Sequence, residues 1–286
     1  RHQDDQGWRQ ELLVQWAEAL VSAGRCTRAA EVYLDAASTA PKAEAALLRV
    51  TAGTQILLSG RWDRGVEVLG PALDELGLSL PTSGADALST AYKLWTDFET
   101  RGLDFVPRKA NTVPPATRAR LDALWSVVQA TLAGDPITCQ VFALRHLREA
   151  LDAGEKTHVV LGLCARFITI DVVYEARAKQ KARSLVLADS LSRDQSDVRC
   201  RAWIAFARAF GYLDQGLLKP ASASFAQAEE LMRAHCSNVA AELRSTRMLY
   251  ARGLGMMCQF EDLGRCEQWV NEAVDSEDLL SATRLR

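Results

Sequence analysis

Apolar positions along this chain recur three and four residues apart, the spacing of helices packed on one side. Inside that spacing sits a finer pattern: a small residue, a large one four later, and a small one three beyond. Ala29, Tyr33 and Ala36 show it first, and Gly65, Leu69 and Ala72 repeat it. Ala143, Leu147 and Ala150 follow, then Ala221, Phe225 and Ala228, then Cys266, Val270 and Ala273. Gly24, Gly60 and Gly216 each stand five residues before the first small position. Small residues let two helices approach closely, the large one fills the gap, and the glycine reverses the chain. The pattern predicts the second helix of a repeated helix-turn-helix pair.

The predicted helices begin with Trp8–Ala23, amphipathic with Leu12, Leu13, Trp16 and Leu20 on one side. Thr27 is read as the N-cap of Arg28–Ser38, Pro41 opens a helix to about Ser59, and Asp63 caps a fourth closing near Gly77. The first two small-large-small sets lie 36 residues apart, close to the length of a tetratricopeptide unit. After a linker at Leu78–Gly84 comes a helix from about Ala85 to Arg101, then a non-helical stretch, Gly102–Pro115, with three prolines and Asn111. So long a connection is unusual in a compact fold. Leu103, Phe105 and Val106 are expected to anchor it as a structured crossover. Helices resume at Pro115–Ala133, Pro136–Ala153, Lys156–Glu175, Ala178–Ser192, Gln195–Gln215, Leu218–His235, Asn238–Gln259 and Leu263–Val274. Asp135-Pro136 is a strong helix start and Gly154 a strong stop. No run alternates as a strand does.

Composition narrows the class. With 48% hydrophobic and 24% charged residues, 286 residues can bury a large core. A net charge of -2 provides no field to attract nucleic acid or anionic lipid, so neither is expected as a partner. Arg1 in place of an initiator Met, and a helical ending at Leu279–Arg286, are read as signs of a segment of something longer. Seven scattered cysteines (26, 139, 164, 200, 236, 258, 266) lack any C-x-x-C spacing and read as buried thiols of a reducing, cytoplasmic setting. The most apolar stretch, Val159–Val173, is too short to span a bilayer and carries Arg166 and Asp171, so it reads as a helix buried on most sides.

Catalytic, metal and cofactor signatures are missing: no phosphate-cradling G-x-x-x-x-G-K-[ST] and no H-E-x-x-H. His146 and Glu149 share a helix face without a third ligand, and read as a polar surface within Arg145–Arg148. His235-Cys236, at a helix end, lacks an orienting residue for nucleophilic work. Arg177, Lys179, Lys181, Arg183, Arg193, Arg199 and Arg201 are interleaved with Glu175, Asp189, Asp194 and Asp197. That is the composition of a solvated face, with an acidic protein partner as the next reading. The candidate binding residues are Trp203, Phe206, Phe210 and Leu213, one stripe on Gln195–Gln215. By register with Ala221 they fall where the first helix of a pair lines a concave groove, and an aromatic groove suits a peptide or an amphipathic helix. The bland reading is that the stripe packs against a neighbouring repeat. The matching positions of the first pair, Glu11, Val14, Glu18 and Val21, lack the basic and amide residues of a carboxylate clamp.

Four segments in order add a resemblance: LGLSLP at 76–81, FETRGLDFVPR at 98–108, VPPATRARLDALWSV at 113–127 and DPITCQVFALRHLREALDAGE at 135–155. Together they resemble the tetratricopeptide-like helical region of bacterial multidomain signalling proteins, which join a serine/threonine kinase domain and an AAA-type, STAND-like ATPase module to a long helical arm. The resemblance covers roughly Gly24 to Ala176. The kinase and ATPase signatures are absent here, so it implies a role and no activity. The expectation is an all-α, right-handed superhelical stack of antiparallel helix pairs. Residues 1–77 form its first pairs, 78–115 a linker helix and connection, and 116–286 the later repeats, continuous with the first. The expected function is a non-catalytic scaffold or regulatory arm that binds a protein or peptide, or the attached kinase and ATPase domains. A sensor taking a peptide or small molecule in the concave groove is the alternative.

Overall fold

The computed structural model describes residues 2–132, 134–171, 178–193, 197–236, 238–258, 263–275 and 279–285. Among them the chain is all-α, with no β-strand. The α-helices are α1 (His2–Ser22), α2 (Cys26–Thr39), α3 (Lys42–Leu58), α4 (Trp62–Glu75), α5 (Gly84–Arg101), α6 (Pro115–Thr131), α7 (Pro136–Ala153), α8 (Lys156–Arg166), α9 (Ala178–Ser192), α10 (Val198–Asp214), α11 (Leu218–His235), α12 (Ala240–Met256), α13 (Leu263–Asp275) and α14 (Leu279–Leu285). They form two compact units. The first holds Arg1–Leu80, Ser237–Ala241 and Leu263–Arg286; the second holds Pro81–Cys236 and Glu242–Asp262. None of the described helices is long and apolar enough to cross a membrane.

In the first unit, α1 packs on α2, α2 on α3 and α3 on α4. Ala29, Tyr33, Ala36, Leu69 and Ala72 are all buried. A small residue lies sixteen positions upstream of each large one: Ala17 before Tyr33, and Gly53 before Leu69. The reason is contact. A Cβ on Gly53 would stand 3.0 Å from Leu69 Cβ, so only glycine lets α3 come so near. Gly24 and Gly60 make the preceding turns at φ of +74° and +86°, in the left-handed region open to glycine. Two start signals differ from expectation. α2 begins at Cys26, so Thr27 lies inside its first turn, and Asp63 is likewise inside α4.

α1 departs further. Ala17 and Leu20 are buried, with Leu13, Val14 and Val21 packed on the same core, whereas Trp8, Leu12 and Trp16 face solvent. Apolar residues run nearly all round this helix, so spacing alone groups Leu12 and Trp16 with the wrong face.

In the second unit α7 is central, packed on α5, α6 and α8, while α10 packs on α8, α9 and α11. The same device recurs: Gly162 of α8 lies where a Cβ would meet Leu147 Cβ at 3.0 Å. Arg148 pairs with Asp97 and Arg101 with Asp152, joining α7 to α5. α8 is buried from His158 through Arg166, as expected of that apolar stretch. It does not run on as an α-helix but widens into a π-helical turn, Phe167–Asp171. The Thr169 carbonyl there accepts from Gln140 Nε2 at 2.8 Å. Residues 172–175 of the expected helix lie outside the described residues.

The proline-bearing connection is structured, with one expected anchor displaced: Leu103 and Phe105 are half-buried, but Val106 is 79% exposed and Val113 is the fully buried apolar residue. Arg108 N–H donates to the Gly154 carbonyl at 2.8 Å, pinning the strand-like crossover to the end of α7. Gly154, at φ +69°, is required twice: its conformation is left-handed, and a Cβ there would overlap the Val106 carbonyl oxygen.

Candidate functional site

The second unit concentrates its aromatic and titratable groups in one place. Trp203 of α10 meets Trp125 of α6 edge-on at 4.8 Å between ring centroids, and Phe206 at 5.2 Å. Phe206 continues to Phe225 of α11 at 6.0 Å, and Phe225 stacks on Tyr250 of α12 at 6.4 Å. Such edge-to-face pairs add stability beyond their buried area. This column decides where the expected binding stripe lies. Trp203 and Phe206 are buried within it, while Phe210 and Leu213 are half-buried. The 3–4 spacing reflects a helix enclosed on most sides, since Cys200, Ala202, Ile204, Ala205, Ala207 and Ala209 are buried as well. Phe210 and Leu213 keep part of their surface at the solvent, whereas Trp203 and Phe206 are engaged inside the protein.

Beside Trp125 lies a polar chain. His146 Nε2 and His158 Nδ1 are 2.9 Å apart, and His158 Nε2 is 3.4 Å from Asp122 Oδ1. One imidazole donates to the other across the 2.9 Å contact, and His158 Nε2 points to the Asp122 carboxylate. Each element has a reason to be there. The left-handed turn at Gly154 folds α8 back along α7 and brings the two histidines together, and the Glu155 carboxylate caps α8 by accepting from His158 N–H at 2.7 Å. Asp122 closes the chain at the surface, its side chain 61% exposed. Next to it, Arg199 donates through Nη2 to the buried Glu242 at 2.8 Å, joining α10 to α12.

Electrostatics holds this cluster in fixed states. Burial, reinforced by His158 and Arg199, keeps the His146 imidazole well below its usual pKa, so it is neutral at pH 7. Burial opposes the charge on Arg199, but Glu242, with Asp122 and Asp197, more than offsets it and keeps the guanidinium protonated. Burial pushes the Cys139 thiol up to about 12 and raises those of Cys164 and Cys200, which keeps all three as unreactive thiols. His146 is enclosed, with Nδ1 turned toward Gly162, so it has no path to a substrate. What the arrangement does is join α7 to α8 through the His146–His158 hydrogen bond, with the Asp122 carboxylate of α6 beside it.

The remaining sequence candidates are dispersed. Glu149 does not join His146; it pairs with Arg120 through two hydrogen bonds of 2.7 and 2.9 Å. His146 is itself core rather than surface. Among the described residues no three His, Cys, Asp or Glu side chains gather as metal ligands do. In the basic run, Arg177, Glu175 and Asp194 and the side chains of Lys179 and Lys181 lie outside the described residues. Asp189 takes Arg193 at 3.5 Å and Arg208 at 3.3 Å, and Arg199 turns inward to Glu242. Sequence reasoning passes over Asp122, His158 and Glu242, whose only signal is two histidines flanking a Gly154 reversal. It also passes over exposed Leu88 and Tyr92, one turn apart on α5, where the Tyr92 ring leans on Trp95 at 5.7 Å. No family model, curated protein or solved structure matches the chain.

Proposed function

We propose that this chain is a non-catalytic helical scaffold: a right-handed stack of tetratricopeptide-like pairs that serves as the interaction or regulatory arm of a larger cytoplasmic signalling protein. The observation that supports this most is the distribution of side chains. Titratable groups that carry chemistry elsewhere are tied up inside the second unit, while large apolar side chains such as Leu88 and Tyr92 stand on an outer helical face. Exposed aromatic residues at one-turn spacing are what a protein or peptide partner anchors on. The partner is a protein, or the kinase and ATPase domains that the resemblance attaches to such an arm. The groove-sensor alternative has less support, because Trp203 and Phe206 already fill the core.

The test is capture of partners by the full chain, identification by mass spectrometry, and titration of the purified partner against wild type and a Leu88→Ser/Tyr92→Ser variant. Both residues are exposed, so the variant keeps its fold by circular dichroism. A purified partner whose binding is lost in the variant supports the scaffold reading. Turnover of a substrate by the purified chain refutes it.

A further inference from the structure

The turn inside each helix pair of the first unit carries the same basic pattern. Gly24-Arg25-Cys26-Thr27-Arg28 leads into α2, and Gly60-Arg61-Trp62-Asp63-Arg64 leads into α4, 36 residues on. α2 and α4 each pack on α3, and connections of two and three residues make the neighbours antiparallel. Both helix starts therefore lie at one end of α1–α4. Packed helices are about 8–10 Å apart, so the two starts stand within about 20 Å of each other.

The placement of these arginines works against the fold. Arg28, Arg61 and Arg64 are exposed and Arg25 is half-buried. Among the described residues Arg25, Arg28 and Arg61 make no ion pair, and Arg64 has the exposed Glu67 of its own helix at 3.0 Å. No side chain caps α2 or α4. A cation there faces the positive end of the helix dipole, so each arginine lowers stability where it stands. The rest of this stretch is acidic. Between residues 9 and 80 the other basic residues are Arg9, Lys42 and Arg49, against nine acidic ones. Glu44, Asp74 and Glu75 lie at the opposite end, where α3 begins and α4 closes.

We propose that the α1–α2 and α3–α4 turns together bind an acidic peptide segment of a protein partner, whose carboxylates pair with Arg25, Arg28, Arg61 and Arg64. A guanidinium matches a carboxylate with two parallel hydrogen bonds, and about six extended residues bridge 20 Å. A long polyanion, nucleic acid or an anionic bilayer, would also meet the acidic remainder and be repelled; a short segment meets only the arginines. This end is separate from the groove positions Glu11, Val14, Glu18 and Val21, and from Leu88 and Tyr92 of the second unit. The inference rests on the reading of the chain as an interaction scaffold and names the chemistry of one partner.

Anisotropy of a fluorescent dodecapeptide of alternating glutamate and serine, titrated with the full chain at low salt, tests it. Binding on the order of 10–100 micromolar is expected, since exposed ion pairs are individually weak. Arg28→Gln/Arg61→Gln should weaken it at least about fivefold, and Lys42→Gln, exposed at the opposite end, should not. The double variant removes two cations from helix starts, so its urea midpoint should equal or exceed that of wild type. A lower midpoint would mean that the arginines serve the fold, and overturns the proposal. So does an absence of binding, equal binding of a glutamine-serine peptide, indifference to the double variant, or tighter binding of a single-stranded oligonucleotide of equal charge. None of these results touches partner capture through Leu88 and Tyr92, whereas substrate turnover by the purified chain removes the scaffold reading itself.

Discussion

Replacing Gly154 by alanine probes how firmly the proline-bearing connection is built into the second unit. Three effects act together. Gly154 sits at φ +69°, and a side chain in that left-handed region costs about 1–2 kcal/mol. The new Cβ would overlap the Val106 carbonyl and stand 3.0 Å from Arg108 Cγ, so the crossover backbone must move. Moving it stretches the 2.8 Å hydrogen bond from Arg108 N–H to the Gly154 carbonyl, worth about 0.5–1.5 kcal/mol. Gly154→Ala should therefore destabilise the second unit by about 2–4 kcal/mol. Gly216 provides the control. It lies in the same unit at φ +71°, with nothing within 4 Å of its would-be Cβ, so Gly216→Ala should lose only the conformational part, about 1–2 kcal/mol. Urea unfolding followed by tryptophan fluorescence reports the difference through the midpoints, provided the slopes agree. Equal losses, within about 0.5 kcal/mol, would mean that the connection yields freely and is no strut.

Two further outcomes follow from the core. His146 is neutral when folded because its pKa is well below 6.5, so the unfolded chain takes up a proton first as pH falls. The stability this provides is complete above about pH 6.5 and is lost below it, by at most about 1.4 kcal/mol per pH unit until the folded pKa is reached. Replacing His146 with phenylalanine should flatten the urea midpoint between pH 7 and pH 5 by about one proton; an unchanged slope refutes the assignment. Phe206→Ala should cost about 3–5 kcal/mol in thermal or urea unfolding, and Phe210→Ala less than half of that. Equally small losses at both positions would move Phe206 out of the core and return it to a binding groove.

How much of this the sequence discloses depends on how local the cause is. α7, α9 and α11 run between the residues that spacing predicts. For α7 the signals are complete: Asp135 accepts from Thr138 N–H, Pro136 opens the helix, and Gly154 ends it in the left-handed region. The small-large-small sets are legible for the same reason, since each packs against a helix a short distance away in the chain. Orientation is harder. α1 and α10 have apolar residues on more than one face, and the pattern cannot say which face meets the core. That leaves Leu12 and Trp16 looking inward when they face solvent, and Trp203 and Phe206 looking available when they are enclosed. The π-helical turn after Arg166 has no composition of its own; it depends on Gln140, a residue of another helix, accepting the task of bonding the Thr169 carbonyl. Asp122, His146 and His158 come from three helices, and only the packing of all three makes them a chain.

The polar chain also answers a difficulty that the repeats create. Contacts of alanine and glycine with a large apolar residue are nearly interchangeable: Gly53 against Leu69 and Gly162 against Leu147 use the same geometry in different units. Sliding one helix along another by a turn replaces one such contact with a similar one at small cost. The histidine pair is not interchangeable. A slip of α8 by one turn, about 5.4 Å, breaks the 2.9 Å bond between His146 and His158 and removes Asp122 from reach. It leaves imidazole nitrogens buried without partners, at about 1–3 kcal/mol each. Arg199 and Glu242 impose the same condition on α10 and α12, because separating them strands a buried carboxylate. Apolar burial provides the drive to stack these helices, and the two buried polar contacts make one register of the second unit cheaper than its neighbours.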